Sequence, residues 1–153
     1  MNPLAHASLN MLTHASCVAW PEGAALLRGA SGAGKSDLAL RLIDLGAELV
    51  ADDQVLLDSQ AGRLLARPPE TLAGMIEVRG VGIVVLAHRA SAPVALVVDL
   101  VPDEQVERLP EPQTTLLLGV TLPLLRLSPW PASAAAKVRL AVRLATGSIM
   151  SAS

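Results

Sequence analysis

Residues 29–36 read GASGAGKS. Gly29, Gly34, Lys35 and Ser36 fit the pattern G-x-x-x-x-G-K-[ST] without deviation. In such a loop the backbone curls so that successive N–H groups, here those of Gly29, Ala30, Ser31, Gly32, Ala33 and Gly34, point inward at phosphate oxygens. Lys35 would neutralise the terminal phosphates of a nucleoside triphosphate, and the Ser36 hydroxyl would reach its metal ion. The helix that opens at this point adds the positive end of its dipole.

The flanking sequence supplies the setting such a loop needs. Upstream, HASCVAW (14–20) and AALLR (24–28) are apolar runs separated by PEG, a hairpin leading into the loop. Downstream, Leu38, Ala39, Leu40, Leu42, Ile43 and Leu45 recur at helical spacing, and Gly46 is a natural stop. ELVA (48–51) reads as a short buried strand ending at Asp52 and Asp53. QVLLD (54–58) and RLLAR (63–67) read as strands around an SQAG turn, closed off by Pro68-Pro69. GIVVLAH (82–88) and PVALVVDLV (93–101) are β-branched runs suited to a buried sheet. DEQVERL (103–109) reads as a short polar helix or turn, and TTLLLGVTLPLLRLS (114–128) as one strand or two. ASAAAKVRLAVRLA (132–145) has the composition and spacing of an amphipathic helix. Together these predict an α/β, P-loop-containing nucleotide-binding fold, strand-rich with a C-terminal helix, as a single domain over residues 1–153.

Composition removes several function classes. The chain is 52% hydrophobic and 17% charged with a formal charge of −2, so it has no basic field for a nucleic-acid backbone. It contains no Phe or Tyr, and its only aromatics are Trp20 and Trp130. Stacking platforms for single strands are therefore not expected, and a bound base is expected to be held by aliphatic side chains and backbone. The mean hydropathy of +0.48 invites a membrane reading. Yet no run approaches the ~18 uninterrupted apolar residues of a spanning helix, being broken at Arg79, His88, Arg89, Asp99 and Pro123. MNPLAHASLNMLTHASCVAW lacks the cationic head of a signal peptide, and the lone Cys17 has no internal disulfide partner, which fits a reducing cytoplasm. Cys17 reads as a small buried apolar residue rather than a reactive thiol.

A phosphoryl-transfer site needs a carboxylate for the metal and, for a hydroxyl acceptor, another to take its proton. VALVVD (94–99) makes Asp99 the generic metal carboxylate, whereas Asp52 and Asp53 end the strand that follows the helix. In a parallel sheet that end lies at the nucleotide's edge. Two adjacent carboxylates there repel each other, so that one suits general-base work while its neighbour stays ionised beside the metal. A solvated Asp-Asp turn is the plainer reading.

His14, GASGAGKS and ADD (51–53) stand in the order and spacing of the catalytic domain of the HPr kinase/phosphorylase family, which this chain resembles. IEVRGVGI (76–83) is similar to that family's LEIRGLGI signature, and ERL with Arg108, followed by LLGVTLPLLRLSP, is similar to its C-terminal region. The resemblance runs from His14 to Pro129 and implies an ATP- and Mg2+-dependent kinase acting on a serine of HPr or an HPr-like phosphocarrier. It implies Asp53 as the base, Lys35 and the loop amides as charge stabilisers, Ser36 and Glu77 as metal holders, and His14 and Arg108 as the rest of the site; Glu77, beside Arg79-Gly80, is expected on a loop. It also implies oligomers, commonly hexamers.

Three departures accompany it. Asp37 stands where the family has Glu, one methylene longer. WPASA (130–134) replaces an RPGRN segment that the family links to dephosphorylation, so weak phosphorolysis is expected, with Arg126 and Lys137 the nearest cations in sequence. No counterpart of the family's N-terminal domain is seen, which implies a short form with simpler regulation. His6, His88, Arg63 and Arg67 are expected on the surface. Two readings compete: a small-molecule kinase or NTPase built on Asp99, and a nucleotide-sensing module without transfer activity.

Overall fold

The computed structural model describes residues 9–152. Its strands are β1 (Leu9–Thr13), β2 (Ser16–Trp20), β3 (Gly23–Arg28), β4 (Glu48–Ala51), β5 (Val55–Gln60), β6 (Arg63–Arg67), β7 (Met75–Val78), β8 (Gly82–Val85), β9 (Ala92–Leu100), β10 (Gln113–Leu117) and β11 (Val120–Leu127). Two α-helices, α1 (Lys35–Asp44) and α2 (Ala134–Ala145), complete it, with a 3-10 turn at Asp103–Gln105 in the polar 103–109 segment.

β9 organises the fold. Its first residues, Ala92 and Pro93, pair antiparallel with β6, while Val97–Leu100 pair parallel with β11. On its other side it runs parallel to β3. One strand therefore joins the antiparallel ribbon β1-β5-β6 to the mixed layer β10-β11-β9-β3-β2-β4, giving a curled nine-stranded sheet. β3 is buried on both faces, which is why GAALL is an unbroken apolar run rather than an alternating one.

Alternation along β3 and β9 divides the core. Leu27, Val98 and Leu96 point to the face covered by the helices and meet Leu38 and Leu42 of α1 and Val138 and Val142 of α2. Leu26 and Val97 point the other way, onto Val55, Leu57, Leu64 and Leu122 of the curled strands. Fully burying each such Leu or Val contributes about 1.5–3 kcal/mol before conformational entropy is charged against it. Arg139 of α2 pairs with Glu22 in the β2–β3 turn and lies 5.0 Å from the Trp20 ring centroid, fixing the second helix to the hairpin.

The β2–β3 hairpin, α1, β4, β6, β9 and α2 lie where the sequence puts them, and 114–128 resolves into two strands. The two-residue hairpin loops Ala61–Gly62 and Leu118–Gly119 carry positive φ at each position, 51° and 76° and then 49° and 79°. These are the primed turns whose twist matches the flanking strands. The first of them lets β5 run on to Gln60, two residues into the expected SQAG turn.

Two expectations need correction. GIVVLAH (82–88) is not part of the buried sheet: β8 pairs only with β7 in a separate ribbon, and Ile83 and Val85 are 66% and 73% exposed. β-branched composition marks a strand but does not say how many of its faces find a partner. Glu77, expected on a loop, lies within β7. β1 escaped the reading because it is an exposed edge strand without a buried face. Cys17 is fully buried in β2, and burial pushes its thiol up to about 12, the Arg89 charge offsetting this only in part. His88, Arg63 and Arg67 are exposed, Arg67 being paired with Asp58, while His6 lies outside the described residues. Among the described residues no helix is long and apolar enough to cross a membrane.

Candidate functional site

Strand direction assembles the site. β2 is antiparallel to both β3 and β4, so β3 and β4 run the same way although they do not touch. β9 and β11 share that direction. The glycine loop after β3, the Asp52-Asp53 pair after β4 and the segment after β11 therefore leave the sheet at one edge, the carboxyl end of the parallel strands.

In the loop, Gly32 and Gly34 adopt φ of 80° and 97°. Gly34 has a second reason to be glycine, since a Cβ there would lie 2.9 Å from Pro129 Cγ and 3.2 Å from Trp130 Cη2. α1 begins directly after it with no side-chain cap, leaving its first N–H groups directed outward. Lys35 Nζ donates to the carbonyls of Gly29 (2.7 Å) and Ala30 (3.1 Å), strapping the loop across its own mouth.

The two adjacent aspartates part company. Asp52 is 6% exposed, and its Oδ1 accepts hydrogen bonds from Ser36 Oγ at 2.8 Å and from Ser16 Oγ at 2.7 Å. Asp53 turns outward with φ 69°, in a three-residue turn closed by Gln54 N donating to the Asp52 carbonyl at 2.8 Å. The carbonyl of Asp53 accepts from Ala15 N at 3.3 Å, drawing His14 to the same side.

These groups line an open cavity of about 870 Å3, whose walls include His14, the glycine loop, Lys35, Ser36, Asp53, Glu77, Arg79 and Trp130. A smaller hollow of about 220 Å3 adjoins it, and Ser36, Asp53 and Glu77 belong to both walls, with Asp52 on the smaller one. No group of three or more His, Cys, Asp or Glu side chains able to hold a metal ion occurs among the described residues. Mg2+ is usually held by one or two carboxylates together with phosphate and water, and a serine hydroxyl hydrogen-bonded to a buried carboxylate suits that donor set.

Of the residues singled out from sequence, His14, Lys35, Ser36, Asp52, Asp53 and Glu77 meet around these cavities. Arg108 lies apart on an exposed bend and on neither wall. Asp99 is also on neither wall: its carboxylate takes two hydrogen bonds from Arg28, at 2.7 and 3.0 Å. Asp37 is on the wall of the larger cavity, with its carboxylate drawn along the helix to Arg41 at 3.1 Å. Ser16 was not singled out, although a serine at the head of a strand with no exposed residue was a usable sign that its hydroxyl has a buried partner. Trp130, one of the two aromatic residues of the chain, stands on the wall of the larger cavity.

A family model described as "HPr Serine kinase C-terminal domain" matches residues 5–143. The chain is 49% identical over 59 residues to an HPr kinase/phosphorylase of Clostridium beijerinckii, a match covering 39% of this chain and 20% of that protein. It is 37% identical over 114 residues to an HPr kinase/phosphorylase of Chlorobium phaeobacteroides, covering 67% of this chain and 34% of that protein. It thus spans between a fifth and about a third of the length of these curated relatives. The solved structure of the Hpr(Ser) kinase/phosphatase from Coxiella burnetii superposes with a TM-score of 0.77 at 26% identity, over 87% of this chain and 94% of that one.

Proposed function

The chain belongs to the HPr serine kinase C-terminal domain family, and from that premise we propose that it transfers the γ-phosphoryl group of ATP to a seryl hydroxyl of HPr or an HPr-like phosphocarrier in the cytoplasm. The observation that carries this reading is the division of labour between neighbouring aspartates. Asp52 is buried against Ser36, while Asp53 stands open on a wall shared by both cavities. One carboxylate is thereby committed to the metal side of the site and the other is free to meet a hydroxyl.

Asp53 takes the hydroxyl proton as the seryl oxygen bonds to the γ-phosphorus, and the bond from that phosphorus to the β–γ bridging oxygen breaks to leave ADP. Lys35, released from the Gly29 and Ala30 carbonyls, follows the charge onto the phosphoryl oxygens, and the amides of the loop hold the rest of the triphosphate. His14 and Arg79 flank the same space and suit contacts to phosphoryl oxygens. Ser36 with Asp52 and Glu77 would hold Mg2+, which would supply neutralisation of the phosphates. Arg108 is on neither cavity wall of the chain, and a role for it is compatible with assembly of the oligomeric kind the resemblance implies. Leu140 and Leu144, left 47% and 45% exposed on α2, are compatible with such contacts.

Mass spectrometry of HPr-like proteins treated with this protein, Mg2+ and ATP is expected to find phosphoserine. A sensor without transfer activity would leave every carrier unmodified. Asp99→Asn is expected to keep transfer within a few-fold of the unaltered chain, because Asp99 is committed to Arg28. Abolition by that substitution would favour the small-molecule kinase built on Asp99.

The reverse reaction, attack of inorganic phosphate on phosphoserine, is expected to be weak. It brings a phosphate dianion beside an already charged phosphoserine and needs additional cations where the dielectric is reduced. The segment 130–134 offers no arginine, Arg126 donates outward to Gln105, and Lys137 is exposed on α2. Phosphoserine on the carrier should persist when inorganic phosphate is added without ATP. Rapid loss of the label to pyrophosphate would overturn this and make Arg79 the first cation to test.

A further inference from the structure

We infer that the indole of Trp130 is the base-binding surface of the site, stacking on the adenine ring of the nucleotide. This rests on the ATP reading above and adds to it the group that recognises the base.

Three observations point to it. β11 runs parallel to β9, and β9 parallel to β3, so the segment that follows β11 emerges beside the glycine loop, at the edge where a nucleotide bound by that loop must lie. The ring is also unusually free. Trp130 is 62% exposed although it belongs to the cavity wall, whereas the other tryptophan, Trp20, is 6% exposed and packed in the core. An indole left that open on the wall of a cavity of about 870 Å3, large enough for a whole nucleotide, has ring surface available to a flat apolar ligand.

The segment is, moreover, anchored. Pro129 and Trp130 pack so closely on Gly34 that no side chain fits there, and Arg41 of α1 donates to the Pro129 carbonyl. The indole is thus carried by the helix whose N-terminus faces the phosphates, and the pre-positioned ring loses little freedom when a base lies on it. Among the described residues of the remaining wall, Leu40 and Val78 supply the only other large apolar side chains.

Isothermal titration of the whole chain with Mg2+ tests this with two probes, ATP and inorganic tripolyphosphate, which carries the phosphates without a base. The unaltered chain should bind ATP more tightly than tripolyphosphate. Trp130→Leu should weaken ATP binding roughly 5- to 100-fold, the scale of one aromatic stack, and leave tripolyphosphate unchanged. Trp130→Phe should restore most of the loss, and ATP, but not tripolyphosphate, should quench the fluorescence of the exposed tryptophan.

Equal loss for both probes in Trp130→Leu would make Trp130 a prop for the loop and overturn the inference, as would no loss for either. Equal affinities of the unaltered chain for the two probes would also overturn it while leaving the phosphate cradle intact. Failure of both probes to bind the unaltered chain would instead remove the nucleotide reading on which the inference stands, and the inference with it.

Discussion

Asp53→Asn is expected to bind ATP nearly as well as the unaltered chain and to lose about 10²- to 10⁴-fold in phosphoryl transfer, the range that a positioned general base supplies. The substitution is well suited to the question because of the backbone beneath it. Asp53 sits at φ 69°, in the left-handed region that Asn enters as readily as Asp. The bonds that fix the turn, Gln54 N to the Asp52 carbonyl and Ala15 N to the Asp53 carbonyl, are made by main-chain atoms and survive it. The carboxylate's charge and its capacity to take a proton are removed while the backbone is kept. Asp53→Ala would add strain of about 1–2 kcal/mol at the same position and confuse the two effects. Nucleotide affinity by titration and transfer to the carrier by phosphoserine detection separate binding from chemistry. Wild-type transfer by Asp53→Asn, with binding intact, would take Asp53 out of the mechanism.

The parts of the site that sequence makes legible are those close along the chain or tied to strand direction. Lys35 and Ser36 follow from an eight-residue pattern. Asp52 and Asp53 follow from one further step, that the strand after a loop-helix unit returns in the direction of the first. That step holds here even though β2 lies between β3 and β4, because a strand antiparallel to both leaves their directions equal.

What escaped is long-range or depends on exposure. Ser16 reaches Asp52 across 36 positions of sequence, and nothing local to either residue announces the other. Trp130 comes to the glycine loop through β11, a relation that exists only once three parallel strands are in register. The β7–β8 ribbon looked like core because Ile83 and Val85 are apolar and β-branched, and whether such a strand is covered depends on neighbours drawn from elsewhere in the chain. Sequence also made Asp99 and the Asp52-Asp53 pair equivalent candidates for the metal. The fold separates them: Arg28, one position before the glycine loop, occupies Asp99, while Ser36, at its other end, engages Asp52.

Lys35→Ala should impair binding and chemistry together. The ammonium group bonds two carbonyls of the loop, Gly29 at 2.7 Å and Ala30 at 3.1 Å, so it already lies over the space that the loop's N–H groups enclose. A triphosphate arriving there offers a stronger, charged acceptor, and the lysine passes to it at the cost of two hydrogen bonds to neutral groups. Hydrogen bonds to charged partners contribute about 1.5–3 kcal/mol, so ATP affinity should fall roughly 10- to 100-fold. Charge on the phosphoryl oxygens is redistributed in the transition state, where a fixed cation in a water-poor site contributes more than it does to ground-state binding. A further loss in turnover of about 10²- to 10³-fold is therefore expected. Lys35→Met separates the charge from the stem, since it keeps most of the apolar chain that fills the mouth of the loop, and it should fall with Lys35→Ala. Lys35→Arg should recover little, because a planar fork does not fit where a compact ammonium bonds two carbonyls of a tight loop. Steady-state kinetics on the carrier, read as turnover and KM separately and alongside ATP titration, resolve the two effects. Unchanged affinity and unchanged turnover in both neutral variants would mean that the loop holds no nucleotide phosphate, and the resemblance of 29–36 to a phosphate cradle would then be one of shape alone.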